Sequence, residues 1–261
     1  MKMLFHILLI ALLPFQERYP LKDGRPTSKG IEHYVEDHAD SLVNVYQKYI
    51  GDTLYHVWIY AENLNKYGIQ DSLELGFYID NEIYISTSEY YNAYELADLS
   101  GYQRSRYLEN NKFVKATMLH ELSHDYFNQV AWEMIAIDSV HVNRSYKPYH
   151  WILTSMESFG AGFIEEGVCE YMVEKMGEVI RPRVPHIPSS VDELTLEENA
   201  YSMKYKYSAY FLRDFLNENG FKWGIKILIH NPPPTFDEIL DPDLFFSRLI
   251  EPAVRSQPDI Q

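Results

Sequence analysis

Cysteine is nearly absent from this chain. Cys169 stands alone among 261 residues, so no intrachain disulfide can form in any compartment. Basic clusters are missing as well. Against 38 Asp and Glu there are only 23 Lys and Arg, a formal net charge of −15. That sign repels a phosphate backbone, so no nucleic-acid partner is expected. Long apolar runs are also lacking. Met3 to Leu13 is apolar apart from His6, but it is too short to cross a bilayer comfortably, and no stable membrane span is expected. There is no Gly-x-Ser-x-Gly elbow and no glycine-rich phosphate loop, so a serine hydrolase has no foothold. No internal repeat or low-complexity tract is evident.

What is present suits a globular domain at the upper end of single-domain size, or two lobes sharing a cleft. Apolar residues make up 46% and there are 22 Tyr, ample for a core. Lys2 followed by Met3–Leu13 and closed by Pro14 resembles a short secretory signal. Export to a periplasmic or extracellular space is the expectation. The lack of a small-x-small cleavage site keeps open a cytoplasmic chain with an N-terminal apolar helix. Residues 1–15 are this segment and residues 16–30, rich in Pro and Gly, read as a linker. The body runs from 31 to 261, as an α/β lobe over 31–111 and a helical lobe over 112–261. Periodicity predicts a helix from Ile31 to Tyr49. Tyr55 to Ala61 reads as a strand, and Leu73 to Ile79 with Glu82 to Ser86 as a hairpin about Asp80-Asn81.

The chemistry sits at His120-Glu121-Leu122-Ser123-His124. The pattern HExxH places two imidazoles one helical turn apart on one face, within reach of a single ion. Imidazole suits Zn²⁺, which takes about three protein ligands and leaves one position open in catalytic sites. Glu121 can lean over that position, take a proton from water activated on the metal, and pass it to a leaving amine. The stretch from Phe113 to Ile137 holds no Pro or Gly and keeps Leu119, Leu122, Tyr126, Val130 and Met134 at helical spacing. The motif therefore lies in a long buried helix, where such side chains are costly without partners.

A third ligand is needed. The three-histidine class would put Gly and His three and six residues beyond His124; those positions hold Phe127 and Val130. The better candidate lies in Phe163–Met172, a second helix with Ile164, Val168, Tyr171 and Met172 on an apolar stripe. There Glu166 precedes Gly167, which removes a side chain where two helices could approach. Glu170, one turn on, is placed to hydrogen-bond the free nitrogen of a metal-bound His. His141, His150, Asp138 and Glu157 compete as ligands. Cys169 reads as a small buried apolar residue, and Glu165 as a solvated charge.

HExxH followed by Glu-Gly on a second helix resembles the gluzincin zinc metallopeptidases, which include thermolysin-like and aminopeptidase-like enzymes. The resemblance covers about residues 112 to 230. It implies Glu166 as third ligand, with Glu165 where those enzymes have Asn, and Glu170 as the partner of a ligand His. The interval after His124 is longer than in compact members, and a loop from Ser139 to Thr154 accounts for it. The resemblance also implies a Tyr donor to the oxyanion, three residues before a small residue at the start of a later helix. Tyr205 before Ser208 fits, with Tyr207 as runner-up.

The implied fold is α+β and zincin-like: an N-terminal helix, a small, mostly antiparallel sheet, the active-site helices, and a helical C-terminal lobe. Glu82–Ser86 is the expected edge strand for extended substrate. The implied function is a zinc metallopeptidase with one Zn²⁺ per chain, acting on peptides or proteins. The Gly-x-Met-x-Asn segment of aminopeptidases is absent, which favours an endopeptidase. The alternative is a catalytically inactive zinc-stabilised scaffold or binding protein of the same fold.

Overall fold

The structure, a computed structural model, describes residues 21–22, 25–55, 57–64, 76–79, 81–87, 112–138, 158–177, 186–196 and 202–252. The expected signal segment, the Ser139–Thr154 loop and Glu157 lie outside them. The chain divides into two compact units, Met1–Asp125 with Met172–Ile180, and Tyr126–Tyr171 with Arg181–Gln261. Among the described residues no helix is long and apolar enough to cross a membrane.

The first unit opens with a short antiparallel ladder, β1 (Leu21–Lys22) with β2 (Arg25–Pro26). Helix α1 follows at Ser28–Ile50. It begins three residues before the periodicity suggests because Thr27 caps it. The Thr27 Oγ1 accepts from the Gly30 N–H at 3.1 Å, satisfying a donor that the first turn leaves open. Gly51 ends the helix in the left-handed conformation (φ 67°), which glycine adopts without penalty. The buried face is Ile31, Tyr34, Val35, Leu42 and Tyr46.

The sheet comprises β3 (Trp58–Glu62), β4 (Gly76–Ile79) and β5 (Glu82–Ser86) in the order β3-β5-β4. The hairpin is present. β4 runs antiparallel to β5, with Gly76 opposite Ile85 and Ile79 opposite Glu82, and Asn81 turns at φ 67°, a region Asn tolerates better than most residues. Two expectations are corrected. The sheet is mixed, because β3 lies parallel to β5 with Trp58 opposite Glu82. Residues 63–81, which include β4, separate β3 from β5, enough chain for the crossover that a parallel pair demands. Glu82–Ser86 is also central, flanked on both sides. Ile83 and Ile85 are almost fully buried, as befits an inner strand, and so main-chain pairing with substrate there is ruled out.

Helix α2 (Lys112–Asp138) carries the motif and passes from the first unit into the second after Asp125. It is apolar on nearly every side. Val114, Met118, Leu119, Leu122, Val130 and Ala131 are all wholly buried, the signature of a core helix rather than a surface one. One hydrogen bond ties it to α1, and a second continues it within α2. The Tyr46 hydroxyl donates to Ser123 Oγ at 3.0 Å, and Ser123 Oγ donates to the Leu119 carbonyl at 2.8 Å.

Helix α3 (Phe159–Lys175) belongs to the second unit up to Tyr171, and that unit continues with α4 (Val191–Thr195), a π-helical turn (Ser202–Tyr207), α5 (Ser208–Asn219), α6 (Phe221–His230), α7 (Phe236–Leu240) and α8 (Pro242–Ser247). Phe163, Tyr207, Phe211 and Phe245 make an aromatic core. Pro232-Pro233-Pro234 separates α6 from α7. Thr235 then starts α7 with a capping box: its side chain accepts from the Glu238 N–H, and Glu238 accepts from the Thr235 N–H at 2.7 Å. Arg248 closes the end of the unit, pairing with Glu238 and donating to the Pro232 and Pro233 carbonyls.

The Arg248 guanidinium, followed by the Thr235 backbone donor, lowers the Glu238 pKa below its ordinary value of 4.5. A carboxyl depressed on folding stabilises the fold above its unfolded pKa and ceases to do so as the pH falls through the folded one. Glu238→Gln should cost about 1 kcal/mol at pH 7. In urea unfolding series, the gap from wild type should close below pH 4.5.

Candidate metal centre

In the first unit the helix does what the motif spacing predicts. The Nε2 atoms of His120 and His124 converge to 3.2 Å, with ring centroids 4.9 Å apart and the planes at 70°. Both residues are half-buried. The distance has chemical meaning. Two imidazole nitrogens on one tetrahedral Zn²⁺, at about 2.0–2.1 Å each, stand about 3.3–3.4 Å apart. The pair therefore fits a single small divalent ion. An N–H donated from one ring to the other gives a similar separation, since either tautomer is open to each ring.

Glu121, beside this pair in sequence, is buried to 6% exposure. Its stem is packed by strand β4. A Cβ added at Gly76 would lie 3.1 Å from Glu121 Cγ and 2.8 Å from Thr117 Cγ2. Glycine weakens a strand and marks close backbone approach; here the approach is to the glutamate's own helix. Two residues further, the Tyr78 hydroxyl donates to Asn81 Oδ1 at 3.2 Å and lies close enough to Asp125 to lower its pKa. The periods match: two strand residues advance about 6.7 Å and four helix residues about 6 Å, so β4 meets α2 at both ends of the motif.

Asp125 is a carboxyl that motif reading passes over. It is 2% exposed, and its Oδ2 is buried without a hydrogen bond. Burial pushes its pKa up to about 7, against the lowering effect of Tyr78. Only its adjacency to His124 could have drawn attention to it in the sequence.

The remaining candidates belong to the second unit. Glu166 on α3 has its Oε1 at 3.5 Å from Lys204 Nζ, and its Oε2 is buried without a hydrogen bond. Glu170, one turn on, is 5% exposed. Cys169 is wholly buried. Gly167 does allow close approach, and its neighbour is backbone. An added Cβ would lie 2.8 Å from the Ser208 carbonyl oxygen and 2.9 Å from its carbon.

That contact sets α3 against the first residue of α5, directly after the π-helical turn. Such wide turns recur at functional sites. Ser208 braces this one by donating to the Lys204 and Tyr205 carbonyls. The two tyrosine candidates separate here. Tyr207 is 1% exposed and its hydroxyl donates to the Ile239 carbonyl at 2.8 Å. Burial, with a contribution from Tyr210, pushes its pKa up to about 12. It is a core brace, which argues against it as an oxyanion donor. Tyr205 is half-buried. Residues two apart on a helix point about 160–200° from each other, so one turn cannot present both phenols to one point.

Of the rival ligands, His141, His150 and Glu157 lie outside the described residues, and Asp138 ends α2. Comparison with protein-family models, curated proteins and solved structures finds no match to this chain.

Gly167→Ala should test the helix approach. With backbone as the obstacle the helices must part, at a cost of about 1–3 kcal/mol. A lower urea midpoint with an unchanged slope is expected; wild-type stability would show that the approach is not rigid.

Proposed function

We propose that this chain is a zinc-dependent metallopeptidase of the gluzincin type. The observation that carries the reading is the 3.2 Å convergence of His120 and His124 Nε2, close to the about 3.3–3.4 Å between two imidazole nitrogens on one tetrahedral ion. His120 and His124 are two ligands. Glu166 is the third, a choice that rests on the Glu-Gly sequence of the second helix. Glu170 is the partner that orients a ligand His.

Bound zinc would supply a Lewis acid for the scissile carbonyl and an acidic water as nucleophile. The chain's own groups do the rest. Glu121 takes the proton from the attacking water and returns it to the leaving nitrogen. Tyr205, in preference to Tyr207, donates to the oxygen on which negative charge develops. Extended substrate has β4 as its edge in place of β5, since β4 is the strand that touches the helix at Glu121 and is an outer strand among the described residues. Endopeptidase action and export are part of the same proposal, from the missing aminopeptidase segment and from the apolar N-terminus. A zinc-stabilised scaffold has no use for a buried carboxylate next to its ligands, and Glu121 is the residue that sets the two apart.

Elemental analysis should find about one zinc per chain, and less in His120→Ala and Glu166→Ala. Absence of zinc, with none taken up on addition, overturns the proposal. In a peptide-library assay, Glu121→Gln should keep its zinc and lose about 10²–10⁴-fold in kcat. A variant that kept most of its activity would remove Glu121 from the mechanism.

A further inference from the structure

The side of the sheet turned away from α2 has no place in the proposal above. Strand alternation divides the sheet's side chains between two faces. Gly76 lies against Thr117 and Glu121, and Ile83 and Ile85 are buried. On the other face the register sets Tyr60, Tyr84 and Phe77 in one row and Trp58, Glu82 and Ile79 in the next. The first row is stacked across all three strands. The Tyr60 and Tyr84 ring centroids are 5.5 Å apart, and Phe77 lies on Tyr84 at 4.8 Å with 12° between the planes. Cross-strand pairs of this kind hold a sheet together, which is reason enough for that row. The second row has no such reason. Trp58 is 60% exposed and Ile79 51% exposed, on either side of the Glu82 carboxylate. A solvated sheet face is ordinarily polar, and contiguous apolar surface beside charge marks an interaction site.

We propose that this face docks an arginine-bearing segment of a peptide or protein. The sign of the partner follows from the charges. Glu82 lies within the aromatic face and Glu62 continues it along β3, two residues beyond Tyr60. The three strands hold no Lys or Arg, and the whole chain carries a net charge of −15. The group follows from the rings. A guanidinium is planar and weakly hydrated, so it stacks on an indole or phenol face while its N–H donors reach a carboxylate. A lysine ammonium is compact and strongly hydrated, and gains less from the same surface. The docking asks nothing of the metal. On the peptidase reading the arginine belongs to the substrate, since a strand added at β4 sends alternate side chains to this face.

The test is the dissociation constant of a labelled peptide with arginine at alternate positions, measured by fluorescence anisotropy. The full chain is used, in chelator so that no cleavage occurs. Citrulline in place of arginine keeps the shape and removes the charge, and should abolish most of the binding. Trp58→Ala should weaken binding about two- to fivefold, and Trp58→Phe, which keeps a poorer ring, should lose less. Glu82→Gln should weaken it by up to about fivefold, and added salt should weaken the wild type further. Glu218→Gln, which removes an exposed carboxyl from α5 in the second unit, should change nothing. No binding of the arginine peptide overturns the proposal. Equal binding of the citrulline peptide overturns it in favour of an uncharged partner. An equal loss in Glu218→Gln and Glu82→Gln overturns it as well, since diffuse negative charge would then be the cause. None of these outcomes depends on zinc, so the metallopeptidase reading stands or falls separately.

Discussion

The burial of helix α2 is the constraint on which the first unit depends. A helix packed on most of its sides must find partners for the polar groups it buries, because an ionisable side chain taken out of water without compensation costs several kcal/mol. This helix carries Ser123, Glu121 and Asp125 at 6% exposure or less, with two half-buried imidazoles among them. Its surroundings are arranged to answer that demand. Tyr46 reaches from α1 to Ser123, Ser123 bonds back to its own helix, and the Tyr78 hydroxyl on β4 lowers the Asp125 pKa against its burial. The imidazoles meet each other at 3.2 Å. The same burial that makes the motif expensive is what would make it effective, since charges and dipoles in a water-poor site act more strongly on each other.

The local part of this architecture was legible in the sequence. The apolar spacing of α1, α2 and α3 and the turn at Asn81 each depend on residues within a few positions of one another. The structure places those elements where pattern reading does, apart from ends set by a cap such as Thr27. What the sequence withheld was non-local. Nothing between residues 58 and 62 states that the strand runs parallel to β5, because parallel pairing is decided by a crossover and not by alternation. The central position of β5 had a signal, the two isoleucines Ile83 and Ile85, but a half-buried edge strand alternates in the same way.

The candidate site divides along the same line. His120 and His124 converge because a helix makes them converge, so their spacing alone was enough. Tyr205 and Tyr207 could not be told apart in a chain with 22 tyrosines. What distinguishes them is a carbonyl at Ile239, 32 positions away in sequence from Tyr207. Gly167 could be read as a point of close approach, but not that Ser208 would fill it.

Gly76 bears on the choice between a catalytic and a merely structural site. Its backbone is not in a region reserved for glycine, for the positive-φ glycines of the described residues are Gly51, Gly177 and Gly220. Conformation therefore does not explain a glycine at the head of a strand, where any side chain would strengthen the pairing. Space explains it, because a Cβ would press on Thr117 and on the stem of Glu121. The strand gives up stability to lie close against this glutamate and its helix. A site that served only to hold the fold together would need its ligands placed and nothing more. Here the close approach falls first on Thr117 and then on the stem of Glu121, so the strand bears on the placement of the carboxylate proposed as the base.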